Sequence, residues 1–158
     1  MTPIGQPQMM GANIMPQMIN QNAVNPNQQQ EEVILQTVIA SHEFVRLYYA
    51  LFQSRVDELV KMYHPKAVCN WNGNFFSGLE AIKAHLISLT PGKYTIDTYD
   101  SQPIGDVSQT GSLMFVVTGN VCYNDNENSK REFYHQFILS KSNDSTWYII
   151  SENFRLLR

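Results

Sequence analysis

Between Gly111 and Leu157 the chain passes through three long runs in which side chains alternate with a period of two. That period marks strands with one side turned to a core. Three such runs joined by short polar segments, Asn124 to Lys130 and Ser142 to Ser145, predict an antiparallel meander. In the first run Leu113, Phe115, Val117 and Val121 point one way, and Met114, Val116, Thr118 and Asn120 the other. In the second, Phe133, His135, Phe137 and Leu139 oppose Tyr134, Gln136 and Ile138. In the third, the alternation sets Tyr148, Ile150, Phe154 and Leu156 against Trp147, Ile149, Ser151, Asn153 and Arg155. One set is nearly all apolar and reads as core. The other keeps Met, Val, Tyr, Ile and Trp beside a few polar groups, whereas a sheet face open to water shows a cleaner polar pattern. It reads as a surface for another protein. The expected interface is Met114, Val116, Thr118, Tyr134, Gln136, Ile138, Trp147, Ile149, Ser151, Asn153 and Arg155.

Upstream of the meander the pattern is helical. Ile34, Val38, Ser41, Val45, Tyr48 and Phe52 follow steps of four and three, and Leu35, Ile39 and Tyr49 widen the stripe. A helix this apolar is expected to be wrapped by other structure. A second, short helix is expected from Val56 to Tyr63, before Pro65. Two short strands around Asn72-Gly73 form a hairpin signal. A third helix, with Leu79, Ile82, Leu86 and Leu89 on one side, ends at Pro91-Gly92. Lys93 to Gln102 is a further strand. The fold class is therefore α+β: three N-terminal helices gathered on one side of a strongly bent antiparallel sheet. The helices can cover only one face of that sheet, which leaves the mixed face to an external cover.

Residues 1–30 hold Gln, Asn, Met and Pro, with no aromatic residue and no charge. Such a segment buries too little apolar surface to offset its ordering entropy, so it reads as a disordered tail before a domain spanning 31–158. A Met-bearing tail that docks on a partner is the sharper alternative. The net charge of -3 and the lack of a basic run speak against direct nucleic-acid binding. No apolar run reaches the roughly 20 residues needed to cross a bilayer, and no basic-then-apolar leader indicates export. Cys69 and Cys122 stand alone without a CxxC and read as buried thiols of a reducing compartment. His64, Cys69, Cys122 and His135 lack zinc-site spacing. No glycine-rich phosphate loop or Ser-centred nucleophile motif is present, so no cofactor or metal is expected.

Five motifs occur in register: Trp71-Asn-Gly-Asn74, Ser77-Gly-x-Glu80, Asp100-x-Gln102-Pro103, Phe133-x-x-Gln136-Phe-Ile-Leu139, and Trp147-x-Ile149-x-Ser151-x-x-Phe154-Arg155. Together they resemble the nuclear transport factor 2-like family over about residues 33–158. Within it they resemble the export proteins that are small partners of the TAP-type mRNA export receptor. The resemblance implies a cone-shaped domain whose sheet face pairs with the related domain of that large receptor. It implies a heterodimer that engages Phe-Gly nucleoporins and shuttles between nucleus and cytoplasm through the nuclear pore. It also implies that Arg155 faces the partner and pairs with an acidic residue there. Breaking a buried pair of that kind costs roughly 3–5 kcal/mol. The rival within the family is the homodimeric carrier of Ran-GDP, which has an acidic residue after the tryptophan and an acidic run before the next long strand. Here Asn72 stands at the first place, and Asp125 and Glu127 give way to Lys130-Arg131 at the second.

The same fold hosts small isomerases and dehydratases with acid–base groups inside the cone. Tyr48, His135 and Asp100 are the candidates for such a set, since histidine titrates near neutrality. The reading adopted is structural: a hydrogen-bonded core histidine, a core tyrosine with its hydroxyl satisfied, and an aspartate capping a turn. Phe115, Phe133, Phe137, Tyr148 and Phe154 are expected to fill the cone, where an enzyme needs a hollow one.

Overall fold

The structure, a computed structural model, describes residues 25–89, 91–105 and 111–157. In chain order it contains α1 (Pro26–Ser54), α2 (Val56–Leu59) running into a 3₁₀ turn (Val60–Met62), β1 (Tyr63–Trp71), β2 (Asn74–Ser77) and α3 (Leu79–Ser88). Then follow β3 (Gly92–Pro103), β4 (Ser112–Tyr123), a 3₁₀ turn (Glu127–Ser129), β5 (Arg131–Lys141) and β6 (Trp147–Leu156). The strands form one sheet in the order β2-β1-β6-β5-β4-β3. All neighbours are antiparallel except β1 and β6, which run parallel.

Helix α1 starts five residues before the expected Glu31. Proline disrupts a helix interior but suits the first turn, where its missing N–H has no partner to lose. Pro26 sits there, and the Asn25 side chain caps the end by accepting from the Asn27 N–H at 3.1 Å. The rest of the expected tail, residues 1–24, lies outside the described residues. The helix is wrapped mainly in its second half. Phe44, Val45, Tyr48, Tyr49 and Leu51 are buried, whereas Ile34, Leu35, Val38 and Ile39 are 48–57 % exposed. The first half extends past the sheet that covers the second.

The hairpin lies where the Asn-Gly pair places it. Asn72 and Gly73 both take positive φ, 52° and 91°, as a two-residue turn matched to strand twist requires. Three register irregularities bend the sheet, one each in the β1–β6, β3–β4 and β5–β6 pairings. An extra residue on one strand kinks it and sharpens its twist. At the β3–β4 bend, opposite Ile96, Gly119 is obligatory. A Cβ there would stand 2.2 Å from the Thr95 carbonyl oxygen and 3.0 Å from the Phe133 ring.

Inside the bend lies one core. Leu113, Phe115, Val117 and Val121 of β4 and Phe133, Phe137 and Leu139 of β5 meet α1 and the Ile82 and Leu86 of α3. Each large apolar side chain so buried contributes about 1.5–3 kcal/mol. Cys69 and Cys122 are buried free thiols.

Candidate functional site

Among the described residues, no helix lies over the outer face of the sheet. The pairing register lines up Asp100, Val116, Gln136, Asn153, Asn70 and Phe75 in one row across all six strands. Met114 pairs with Ile138, Thr118 with Tyr134, and Tyr134 with Arg155. These positions alternate with the buried ones on β4 and β5, as the period-two pattern predicts. Met114, Val116, Thr118, Tyr134, Gln136, Ile138 and Ser151 are half-buried, and Asn153 and Arg155 are exposed. Gln136 donates to the Met114 sulfur at 3.1 Å. Phe75, on the short edge strand, is 68 % exposed on the same face.

Two expected interface residues are not there. Opposite Ile138 and Leu139, the register of β6 skips from Ser151 to Ile149, leaving Ile150 as an extra residue. Because side chains alternate strictly, one inserted residue reverses every assignment beyond it. Ile149 is therefore 1 % exposed in the core, and Trp147 packs against that core. Tyr148, expected inside, pairs with Ser140 on the outer face, and neither it nor the bulged Ile150 belongs to the core. The outer face gains Tyr148, Ile150 and Phe75 and loses Trp147 and Ile149.

Arg155 sits beside the hairpin turn, its Nη1 3.6 Å from where a Gly73 Cβ would be. Among the described residues it makes no ion pair. Asn72 serves the fold: its N–H donates to the Phe154 carbonyl at 2.9 Å, and its side-chain oxygen accepts from the Leu156 N–H at 2.8 Å. Those two bonds fix the end of β6 that presents Arg155.

The inner face carries a second polar group of residues. Glu152, 2 % exposed, accepts from Tyr48 at 2.5 Å, Tyr63 at 2.8 Å and His135 Nε2 at 2.7 Å. The Tyr49 hydroxyl lies 2.9 Å from His135 Nδ1. A neutral imidazole with its proton on Nε2 satisfies both contacts, donating to Glu152 and accepting from Tyr49. Burial works to raise the Glu152 carboxyl, but the hydrogen bonds from His135, Tyr48 and Tyr63 outweigh it and hold it below the ordinary glutamate value. Burial pushes His135 below the ordinary histidine value, with Glu152 opposing in part. Tyr48 and Tyr63 are raised by burial and by the Glu152 charge, so they stay protonated donors. Tyr48 and His135 thus come together as the sequence allows, but Asp100 does not join them. It is exposed on β3, on the outer face. Tyr48 and His135 are sealed in, each 0 % exposed.

A family model, the Nuclear transport factor 2 (NTF2) domain, matches residues 40–156. The chain belongs to this family. It is 36 % identical over 121 residues to NTF2-related export protein 2 of Mus musculus, covering 73 % of this chain and 84 % of that one. It is 30 % identical over 122 residues to Nuclear transport factor 2 of Dictyostelium discoideum, covering 77 % and 94 %. Among solved structures it superposes on nuclear transport factor 2 from Cryptosporidium parvum with a TM-score of 0.68. There the identity is 26 %, covering 77 % of this chain and 95 % of that chain.

In this NTF2 domain the residue that sequence reasoning missed is Glu152. Its place in the alternation put it on the core side, but a carboxylate in an apolar row gave no reason to look for partners. The signal was the two tyrosines on α1 and the histidine of β5: three hydrogen-bonding side chains aimed at one apolar interior need an acceptor there.

Proposed function

We propose that this NTF2-family chain is a noncatalytic nuclear-transport adaptor that pairs its outer sheet face with a related domain of a large mRNA export receptor. The observation that carries the reading is the uncovered face itself. It offers Met114, Val116, Ile138, Tyr134, Tyr148, Ile150 and Phe75 as apolar area beside the cation Arg155, which makes no ion pair among the described residues. Apolar and aromatic residues around a fixed charge are the composition of a partner surface. The relatives support the same direction, since export proteins and transport factors are what they are named. The sealed state of Tyr48, His135 and Glu152 supports a structural role for them over acid–base catalysis, because a catalytic group must reach a substrate.

On this reading the face closes against the receptor domain, and Arg155 meets an acidic residue there. The heterodimer engages Phe-Gly nucleoporins and shuttles between nucleus and cytoplasm. The test is affinity purification of the tagged chain from nuclear extract, followed by mass spectrometry. A large leucine-rich-repeat export receptor recovered with the wild-type chain and absent with Arg155→Asp is the expected result. Recovery of Ran in its GDP form with no such receptor would transfer the chain to the homodimeric import class.

A further inference from the structure

The sheet ends at β3, and among the described residues no strand pairs with its outer edge. This edge strand is 12 residues long. An edge of that length presents a row of N–H and C=O groups that can bond to another strand. From Lys93 to Asp100 it reads Lys-Tyr-Thr-Ile-Asp-Thr-Tyr-Asp. Without Asp97 the order is the same from either end, except that a cation stands at one end and an anion at the other.

The fold itself sets Asp97 aside. The β3–β4 register passes from Ile96 opposite Gly119 to Thr98 opposite Thr118, so Asp97 is an inserted residue with no partner on β4. On a regular strand Tyr94 and Tyr99 would take opposite faces. The insertion returns them to one face, and both pack against the core, as does Ile96. Thr95 and Thr98 lie on the outer face, where Thr98 Oγ1 meets Thr118 Oγ1 at 2.8 Å. By alternation Lys93 and Asp100 share that outer face. The Asp97 carboxylate accepts from Asn120 on β4 at 2.7 Å, which draws it back from the edge.

We propose that two copies of this chain pair edge to edge through antiparallel β3 strands, around a twofold axis at Ile96. The axis sets Lys93 against Asp100, Tyr94 against Tyr99 and Thr95 against Thr98 of the second copy, each pair twice and each on one face. Aromatic, threonine and opposite-charge pairs are the cross-strand pairs that stabilise antiparallel neighbours. The flank of α1 above this edge is uncovered as well. His42 lies 6.3 Å from Tyr99 and Tyr49 5.6 Å from Tyr94, between ring centroids, which places that flank over β3. Ile34 and Val38, two turns and one turn before His42, are each 53 % exposed on it. In the pair the two α1 helices run side by side and antiparallel, so each flank turns to the other copy. Arg46, exposed and two residues from the buried Tyr48, is on the side of α1 away from the sheet. The outer sheet face stays open on both copies, so this pairing neither needs nor blocks a receptor domain there.

Sedimentation equilibrium of the full chain tests the pairing, with circular dichroism confirming that each variant is folded. The wild-type chain should form a dimer. Lys93→Asp sets Asp against Asp at both ends of the paired strands, and Asp100→Lys sets Lys against Lys. Each should weaken self-association by about tenfold or more, which is about 1.4 kcal/mol. An equimolar mixture of the two variants sets Asp against Lys at both ends and should recover the dimer, as should the double swap, Lys93→Asp with Asp100→Lys. A wild-type chain that stays monomeric at about 0.1 mM, a dimer that either single reversal leaves intact, or a mixture that does not recover it overturns the proposal. So does a dimer that Arg155→Asp dissolves, because the outer face would then be the contact.

Discussion

On the inner face of β6, Glu152 is met by three donors within 2.8 Å; on the outer face, three residues later, Arg155 is met by no carboxylate among the described residues. Both are charged residues on one strand of one sheet. The first is buried, and a buried charge is tolerable only when hydrogen-bonded. The chain supplies every partner itself, from α1, β1 and β5. The second is exposed, so water solvates it until another surface arrives. A charge completed within the chain fixes the fold. A charge left open on an apolar face can select a partner, because a partner without the matching acid would leave it desolvated and unpaired.

The contrast is broken most forcefully from the inside. Glu152→Ala would remove the acceptor shared by Tyr48, Tyr63 and His135 and leave buried donors unpaired beside a new void. The expected loss is roughly 3–5 kcal/mol of folding stability, a large share of the 5–15 kcal/mol typical of a domain. Urea unfolding followed by circular dichroism would read it. A midpoint within error of wild type would mean that the cluster is not what holds the inner face. The outer face should respond the other way. Arg155→Asp is expected to leave the urea midpoint unchanged within about 0.5 kcal/mol, as surface substitutions usually do. It should weaken receptor binding by about 3 kcal/mol, measured by calorimetry with the purified receptor domain.

A smaller effect tests which residues belong to which face. Tyr148→Ala should cost about 1–2 kcal/mol of partner affinity and little stability, whereas Trp147→Ala should do the reverse. Strict alternation predicts the opposite pairing for these neighbours, and the bulge at Ile150 is the reason it fails. The sequence announces strands through periodicity, and on β4 from Leu113 to Val121 and on β5 from Phe133 to Leu139 that periodicity places the side chains correctly. It carries no mark of an inserted residue, because Ile149-Ile150 are both apolar and fit either face. Similarly, the Asn72-Gly73 turn was legible because its backbone demands are local. Glu152 was not legible as a site, because its partners come from positions 48, 63 and 135, brought together only by the finished sheet. Nor was the exposed half of α1: its apolar periodicity is as strong before Ser41 as after it, and only the extent of the sheet decides where cover ends.

The smallest expected effect is a dependence on pH, and the buried groups that carry it are on the inner side of the sheet. His135 is held below its ordinary value in the folded state, chiefly by burial. As pH falls through about 6.5, the unfolded chain therefore takes up this proton before the folded one does. Stability is present above that pH and declines below it. Glu152 is held below the ordinary glutamate value by its three donors, so it adds a further loss as pH falls past about 4.5. His85, lowered by burial between Trp71 and Phe76, acts in the same sense as His135. The urea midpoint should therefore be lower at pH 5.5 than at pH 7.5. In Glu152→Gln the further loss near pH 4.5 should disappear while the histidine part remains. An unfolding midpoint that is flat, or that rises on acidification, would show that the imidazole is already protonated at neutral pH. The inner face would then hold a charged pair, and the distinction between a closed charge inside and an open one outside would have to be redrawn with two charges inside.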